Sequence, residues 1–254
     1  MLTMNNDLTR EKAWLLREKY SGIESPEYFL DLKKLYNGEP VDYLIGYTPF
    51  LGCRIDLSER TLIPRTETEY WVSEAVNELR TATEKQPLRC LDIFSGSGCI
   101  GTAVLAQLPH TIVDFADIDE GAVRQIKKNL VLNNIDPVRY RVFQSNIFSD
   151  IPKGTYDVIF ANPPYIAKEN KYRVEESVLS HEPHHALFAA NDGLLYIETL
   201  LKESKNWLNP GGRIYIEHDD MQKPDIERLI KKYAVQGTFH KDQFGSWRTV
   251  LIQI

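Results

Sequence analysis

Cysteine is scarce in this chain: three residues among 254, Cys53, Cys90 and Cys99, with no C-x-x-C spacing. An odd set without that spacing excludes a disulfide framework and argues against a zinc site, so the thiols read as small core residues in a reducing compartment. Long apolar runs are missing as well. No stretch approaches the roughly 20 residues that span a bilayer. The opening MLTMNNDLTREKAWLLREKY has neither a signal-peptide apolar region nor a cleavage site. Positive charge is not in excess: the formal net charge is -6, which supplies no global field for nucleic acid and leaves only a local basic patch open. Internal repeats and low-complexity tracts are absent. The expectation is a cytoplasmic protein with no membrane association and no stable nucleic-acid partner, monomeric by default.

What is present is ordinary globular material, 43% hydrophobic and 26% charged, enough for one large domain or a domain with a small appendage. Residues 1 to about 37 carry apolar positions at helical spacing, with Asp7 or Thr9 as caps and a break at Ser25-Pro26. Pro26 suits the first turn of a second helix. From Asp42 to Leu57, short apolar pieces separated by Pro and Gly predict a β-hairpin connector. Thr66, with Glu69 three residues on, is a capping-box pattern that opens a helix through Tyr70, Trp71, Val72, Ala75, Val76 and Leu79.

Strands and helices then alternate, the signature of a parallel sheet. Strands are predicted at 89–94, 111–116, 140–144, 156–161 and 213–218, and helices at 99–105, 120–133, 192–207 and 224–233. Residues 166–190 read as a polar loop. The last two strands, 236–241 and 248–254, lie too close for a helical crossover and must be antiparallel. The organisation is an α/β, Rossmann-like seven-stranded sheet with a reversed last strand over residues 65–254, a connector over 41–64 and a small helical segment over 1–40.

The chemistry concentrates at Asn162-Pro163-Pro164-Tyr165, directly after the apolar strand Tyr156 to Ala161. Open α/β sheets bind ligands at the carboxyl ends of their strands. Asn162 offers a carbonyl acceptor and an amide donor, and the two prolines leave carbonyls on a rigid rim. Tyr165 adds a face on which an amide or a nucleobase can stack. Such a rim suits a planar NH2 group. A second site follows the strand at 89–94, where Ser95-Gly96-Ser97-Gly98 lets the backbone approach a ligand at a helix N-terminus. Asp117, ending the next strand, stands where such folds bind ribose hydroxyls. The turn reads F-S-G-S-G-C instead of the full G-x-G-x-x-G, which leaves less room for a pyrophosphate and favours S-adenosyl-L-methionine. Together these features look like a class I methyltransferase.

Asn-Pro-Pro-Tyr occurs where DNA adenine, RNA bases or protein glutamine are methylated, so other residues must choose the acceptor. Leu62 to Glu69 resembles the L-I-P-R-x-E-T-E segment of the release-factor glutamine methyltransferases, the HemK/PrmC family, and Gly38 to Gly46 resembles their G-E-P-x-x-Y-L-x-G. Leu91 to Ile100 is similar to their cofactor turn, Asn162 to Ile166 to their N-P-P-Y-I, and Glu182 to Leu187 to their E-P-x-x-A-L. The resemblance runs from about residue 38 to the end. It implies methyl transfer from S-adenosyl-L-methionine, leaving S-adenosyl-L-homocysteine, to the glutamine of the Gly-Gly-Gln loop in a peptide-chain release factor. It implies cofactor contacts from Phe94, Ser95, Gly96, Ser97, Gly98, Asp117, Ile118, Asn146, Ile147 and Asn162. Asn162, Pro163, Pro164 and Tyr165 become the catalytic set, with Arg65 and Glu67 beside them for substrate. Phe94 stands where the family usually has glycine, and Asn146 where it usually has Asp. The segment before Gly38 is shorter than the family's helical domain.

Arg65, Glu67 and Glu69 either frame the cofactor or substrate, or cap the helix they precede. His181, His184 and His185 with Glu182 invite a metal reading, but the histidines read as solvated loop residues and the group is not taken as a metal site. The alternative activity is an N6-adenine or RNA-base methyltransferase built on the same motif; an enzyme of that kind must flip its base and hold phosphates. A cleft that only binds a partner is the rival outside catalysis.

Overall fold

The computed structural model describes residues 2–83 and 86–254. Three helices open the chain: α1 (Leu2–Tyr20), α2 (Pro26–Tyr36) and α3 (Val41–Ile45). Asp7 and Thr9 fall inside α1, which starts earlier than those caps would allow. Ser25 caps α2, its hydroxyl accepting the Tyr28 N–H at 3.3 Å, and Pro26 opens the helix as expected. Leu15, Tyr28, Leu35, Val41, Leu44 and Ile45 form a small apolar cluster of their own. At its polar edge Asp31 accepts hydrogen bonds from Lys19 (2.6 Å), Tyr20 (2.7 Å) and Lys34 (2.8 Å).

Next comes a two-stranded hairpin, β1 (Tyr47–Phe50) and β2 (Cys53–Asp56), and then α4 (Thr66–Thr83). The hairpin is shorter than the sequence suggests, because residues 42–45 are helical: Pro40 precedes α3, and Gly46 ends it at φ +93°. The capping box is not formed. Glu69 instead accepts the Leu51 N–H at 2.6 Å, which fastens α4 to the hairpin loop.

The main sheet uses β3 (Leu88–Ile93), β4 (Thr111–Asp117), β5 (Tyr140–Gln144) and β6 (Tyr156–Ala161). A small parallel pair follows, β7 (Ile166–Ala167) and β8 (Phe188–Ala189), and the sheet is completed by β9 (Leu208–Glu217), β10 (Gln236–Lys241) and β11 (Trp247–Gln253). The helices between them are α5 (Cys99–Gln107), α6 (Glu120–Leu132), α7 (Glu176–His181), α8 (Leu195–Trp207) and α9 (Lys223–Tyr233). Strand order is β10-β11-β9-β6-β3-β4-β5, with β11 antiparallel to both neighbours. The stretch 166–190 is not a plain loop, since it holds β7, β8 and α7.

The chain leaves β3 towards β4 and β5, then returns to the other side of β3 as β6, pairing Ile93 with Ala161. That reversal opens a crevice at the carboxyl ends of β3 and β6. Apolar layers cover both faces. Val72, Ala103, Leu105, Phe115 and Phe160 lie on one side, and Leu91, Ile159, Ile197, Leu200 and Ile226 on the other. Each large side chain so buried contributes about 1.5–3 kcal/mol. The hairpin belongs to this body: Phe50, Ile55 and Leu57 join the first layer, and amide side chains of α6 and its C-cap bond the backbone of β2 and the turn after it. Asn133 Oδ1 accepts the Arg54 N–H (2.9 Å), Asn129 Oδ1 the Asp56 N–H (2.7 Å) and Gln125 Oε1 the Glu59 N–H (2.8 Å).

Candidate active site

The crevice is floored by four strand ends: Ile93 to Ser97 after β3, Ala116 to Asp119 after β4, Ser145 to Ile147 after β5, and Asn162 with Pro164 after β6. Hydrogen bonds stitch the first two together. Ser95 donates its hydroxyl to the Asp92 carbonyl (2.6 Å) and its N–H to the Ala116 carbonyl (3.2 Å), while Gly96 N–H donates to Asp117 Oδ2 (2.8 Å). Asp117 Oδ1 accepts the Asp119 N–H at 2.9 Å. Burial pushes the Asp117 carboxyl above the ordinary aspartate range, and these two N–H groups oppose the shift. Phe94 and Ile147, both lining residues, hold φ of +59° and +54°. A phenylalanine and a β-branched residue at left-handed φ carry strain, and such strain gathers at ligand sites. Phe94 thus takes up the left-handed conformation that glycine would supply, and its ring meets Tyr196, another lining residue, edge-on at 5.2 Å.

At the β6 end, Asn162 Nδ2 donates to Thr68 Oγ1 at 3.4 Å, and Thr68 Oγ1 donates to Glu217 Oε2 at 2.7 Å. Trp71 Nε1 donates to the same oxygen at 2.7 Å, and the Tyr165 hydroxyl donates to Glu217 Oε1 at 3.1 Å. Glu217 ends β9 and is 2% exposed. Burial raises its carboxyl above the usual range; the donors from Trp71, Thr68 and Tyr165, with the Arg248 guanidinium, counter that. Behind it, the rings of Trp71, Phe160 and Tyr215 stack at 5.7–6.5 Å.

The roof is Thr61 to Arg65, Thr68, Pro183, His185 and Ala186. Its two halves are joined by buried Glu182, which accepts the Ile63 N–H (3.0 Å) and pairs with Arg65 (2.6 Å). Tyr43 of α3 donates its hydroxyl to the Thr61 carbonyl at 2.6 Å. His185 faces Asp119 at 3.3 Å, and ring nitrogens of His181 and His184 meet the Ser177 and Leu179 carbonyls. Among the described residues no group of three or more His, Cys, Asp and Glu side chains is arranged to hold a metal ion. No helix among them is long and apolar enough to cross a membrane.

Of the residues singled out from sequence, Phe94, Ser95, Gly96, Ser97, Asp117, Ile118, Asn146, Ile147, Asn162, Pro164 and Arg65 converge on the crevice. Gly98, Pro163, Tyr165 and Glu67 are not among its lining. Gly98 lies under α6, where a Cβ would sit 3.0 Å from the Ile126 side chain. Glu67 accepts from the Thr66 hydroxyl at 3.1 Å. Thr68, Glu217 and Tyr196 were missed. Thr68 and Glu217 stand 149 positions apart, and Glu217 has no local sequence signal. Thr68 lies inside the L-I-P-R-x-E-T-E stretch, the one hint available.

A family model described as the methyltransferase small domain matches residues 76–239. The chain is 33% identical to a release factor glutamine methyltransferase of Streptococcus pneumoniae, over 93% of this chain and 83% of that protein. It is 31% identical to the enzyme of the same name from Flavobacterium psychrophilum, over 92% and 82%. A solved methyltransferase structure from Pyrococcus furiosus superimposes with a TM-score of 0.59 at 21% identity, over 88% of this chain and 96% of that one.

Proposed function

The chain belongs to the release factor glutamine methyltransferase family, and we propose that it methylates the side-chain amide nitrogen of the glutamine in the Gly-Gly-Gln motif of peptide-chain release factors. The methyl donor in this reading is S-adenosyl-L-methionine. Features of the crevice fit that group. Thr61 lines it with a buried hydroxyl that has no hydrogen-bond partner among the described residues. Asp117 spends one acceptor site per oxygen on the Gly96 and Asp119 N–H groups, which leaves capacity for ribose hydroxyls. Asn146 and Ile147 border the end suited to the adenine, and Phe94 with Tyr196 forms an aromatic wall.

When bound, the donor supplies an electrophilic methyl carried on a sulfonium. A glutamine amide nitrogen is a poor nucleophile, because its lone pair is delocalised into the carbonyl. No side chain of ordinary pKa deprotonates it, so the protein acts by positioning and by acceptors that stabilise positive charge growing on nitrogen. Asn162 Oδ1 and the Pro163 carbonyl accept the two amide hydrogens, one of which leaves the nitrogen as a proton to solvent once the methyl has been transferred, giving the neutral N-methyl amide. Pro164 fixes the rim, and Tyr165, its hydroxyl held by Glu217, packs against the amide plane and excludes water. Arg65, ion-paired with Glu182, holds the roof over the reacting atoms.

The observation that carries this reading is Asn162 itself. It lines the crevice with its NH2 committed to Thr68, and among the described residues no donor reaches its Oδ1. Transfer of labelled methyl to a purified release factor, with DNA and RNA offered in parallel, is the test. Label on the release factor is expected; label on nucleic acid alone would sink the proposal in favour of a base methyltransferase. Asn162→Ala is expected to raise the barrier by about 2–4 kcal/mol, the cost of one lost charge-stabilising hydrogen bond. Near wild-type turnover in that variant would be incompatible with the scheme.

A further inference from the structure

We propose that Thr68 and Glu217 are positioning residues that set which end of the Asn162 amide faces the substrate. This rests on the reading of Asn162 as an acceptor. An asparagine amide has two nearly isosteric orientations, one presenting oxygen and the other presenting NH2. Only the first accepts a hydrogen from a substrate amide. A donor presented in its place would meet the substrate N–H groups head-on and add positive charge where the reaction already develops it.

The choice is made by counting protons. Trp71 Nε1 can only donate, so Glu217 Oε2 must accept at that contact. Thr68 Oγ1 donates to the same oxygen, so the single Thr68 hydroxyl proton points to Glu217. Thr68 Oγ1 is left with lone pairs for its other neighbour, and Asn162 must meet it with Nδ2–H. Oδ1 then turns to the crevice. Rotating the amide by half a turn would place Oδ1 against Thr68 Oγ1, two acceptors facing each other, unless Thr68 withdrew its proton from a buried carboxylate. The last arrangement leaves Glu217 Oε2 short of a donor at a site only 2% exposed, a costly outcome.

The chain of bonds also responds to substrate. Hydrogen bonds in series polarise one another, so a substrate N–H arriving at Oδ1 strengthens the 3.4 Å contact from Nδ2 to Thr68. Partial positive charge on the substrate nitrogen is thus felt, three hydrogen bonds away, by a buried carboxylate. Glu217 anchors Tyr165 through its other oxygen, so a single side chain orients both Asn162 and Tyr165.

Thr68→Val keeps the shape and removes the hydroxyl. It is expected to lower kcat by about 10- to 100-fold, the penalty of a misoriented reacting group. Calorimetry should still show S-adenosylmethionine binding, confirming a folded protein, and the KM for release factor should stay close to wild type. Thr68→Ser, which restores the hydroxyl, should recover most of kcat. Glu217→Met removes the acceptor, and adding Thr68→Val to it should lower kcat no further, because both changes break one chain. Wild-type kcat in Thr68→Val, failure of serine to rescue, or independent losses in the double variant would each overturn the proposal. Asn162→Ala run alongside separates the two ideas. If it is inactive while Thr68→Val is fully active, the acceptor role stands and the positioning role falls; if it is active, the acceptor role falls first.

Discussion

A single carboxylate, Asp117, shows how finely the crevice is set at the scale of a residue. Its two oxygens hold the glycine turn through Gly96 and the following loop through Asp119, and burial raises its pKa above the ordinary range. A ligand's hydroxyls add to a site already half built. Asp117→Asn keeps the shape but loses the charge and turns one acceptor into a donor. The loss of a charge-assisted hydrogen bond, about 1.5–3 kcal/mol, should weaken S-adenosylmethionine binding at least tenfold by calorimetry. The raised pKa also fixes the sign of the pH effect. Asp117 takes up its proton at a pH where an ordinary aspartate is still ionised, so affinity should begin to fall on acidification above that range, and Asp117→Asn should flatten the profile. The position of Asp117 at a strand end was legible in the sequence, as were the glycine turn and Asn162. Glu217 was not, since a glutamate closing an apolar strand becomes informative only when Thr68, Trp71 and Tyr165 are brought to it from elsewhere in the chain.

Elements were legible where their period was long enough to read. The alternation from β3 to α9 declares itself over whole strands and helices, and the short link before β11 settles its direction. The five residues of α3 were mistaken for strand because so short an apolar run has no decidable period; Pro40 before it and Gly46 after it were the signals that counted. The Thr66 to Glu69 pattern failed for another reason. A capping box describes one helix by itself, whereas Glu69 found a better donor in Leu51 on the hairpin. Among the small helices, Asp31 carries an element-scale test. Burial works against its ionisation, yet hydrogen bonds from Lys19, Lys34 and Tyr20 win and take its pKa down to about 2. A carboxylate with a depressed folded pKa adds stability that is present above its unfolded pKa, near 4, and is lost as pH falls through the folded value. Asp31→Asn should therefore cost about 2 kcal/mol in chemical denaturation at neutral pH, with the deficit shrinking below about pH 4 and vanishing near pH 2.

For the whole molecule, ligand and fold are linked because the crevice draws its walls from distant parts of the chain: the roof at Thr61 to Arg65, the strand ends from β3 to β6, and Tyr196 on α8. Binding should stabilise all of them together. At S-adenosylmethionine near a hundred times its Kd, the gain is about 2.7 kcal/mol. For a chain of this size that is a rise in Tm of about 5–10 °C by calorimetry or scanning fluorimetry. Thr68→Val should show the same rise, since its defect is in turnover.

The hairpin's seat on α6 has a consequence of a different kind. Asn133, Asn129 and Gln125 follow one another every four residues along the helix, and they meet Arg54, Asp56 and Glu59 running the opposite way. Four residues of α-helix advance about 6.0 Å, and two residues of strand about 6.6–6.8 Å. The two rulers nearly coincide for the first pair of marks and then drift apart, and the third mark falls beyond the strand at Glu59. Such a vernier has one setting. Shifting the hairpin along α6 by one residue would turn its inward N–H groups away and leave the side-chain oxygens of Gln125 and Asn129, both fully buried, without these donors. The same engagement occupies backbone donors of β2 that would otherwise form a free sheet edge, so that edge of the hairpin is closed to an incoming strand.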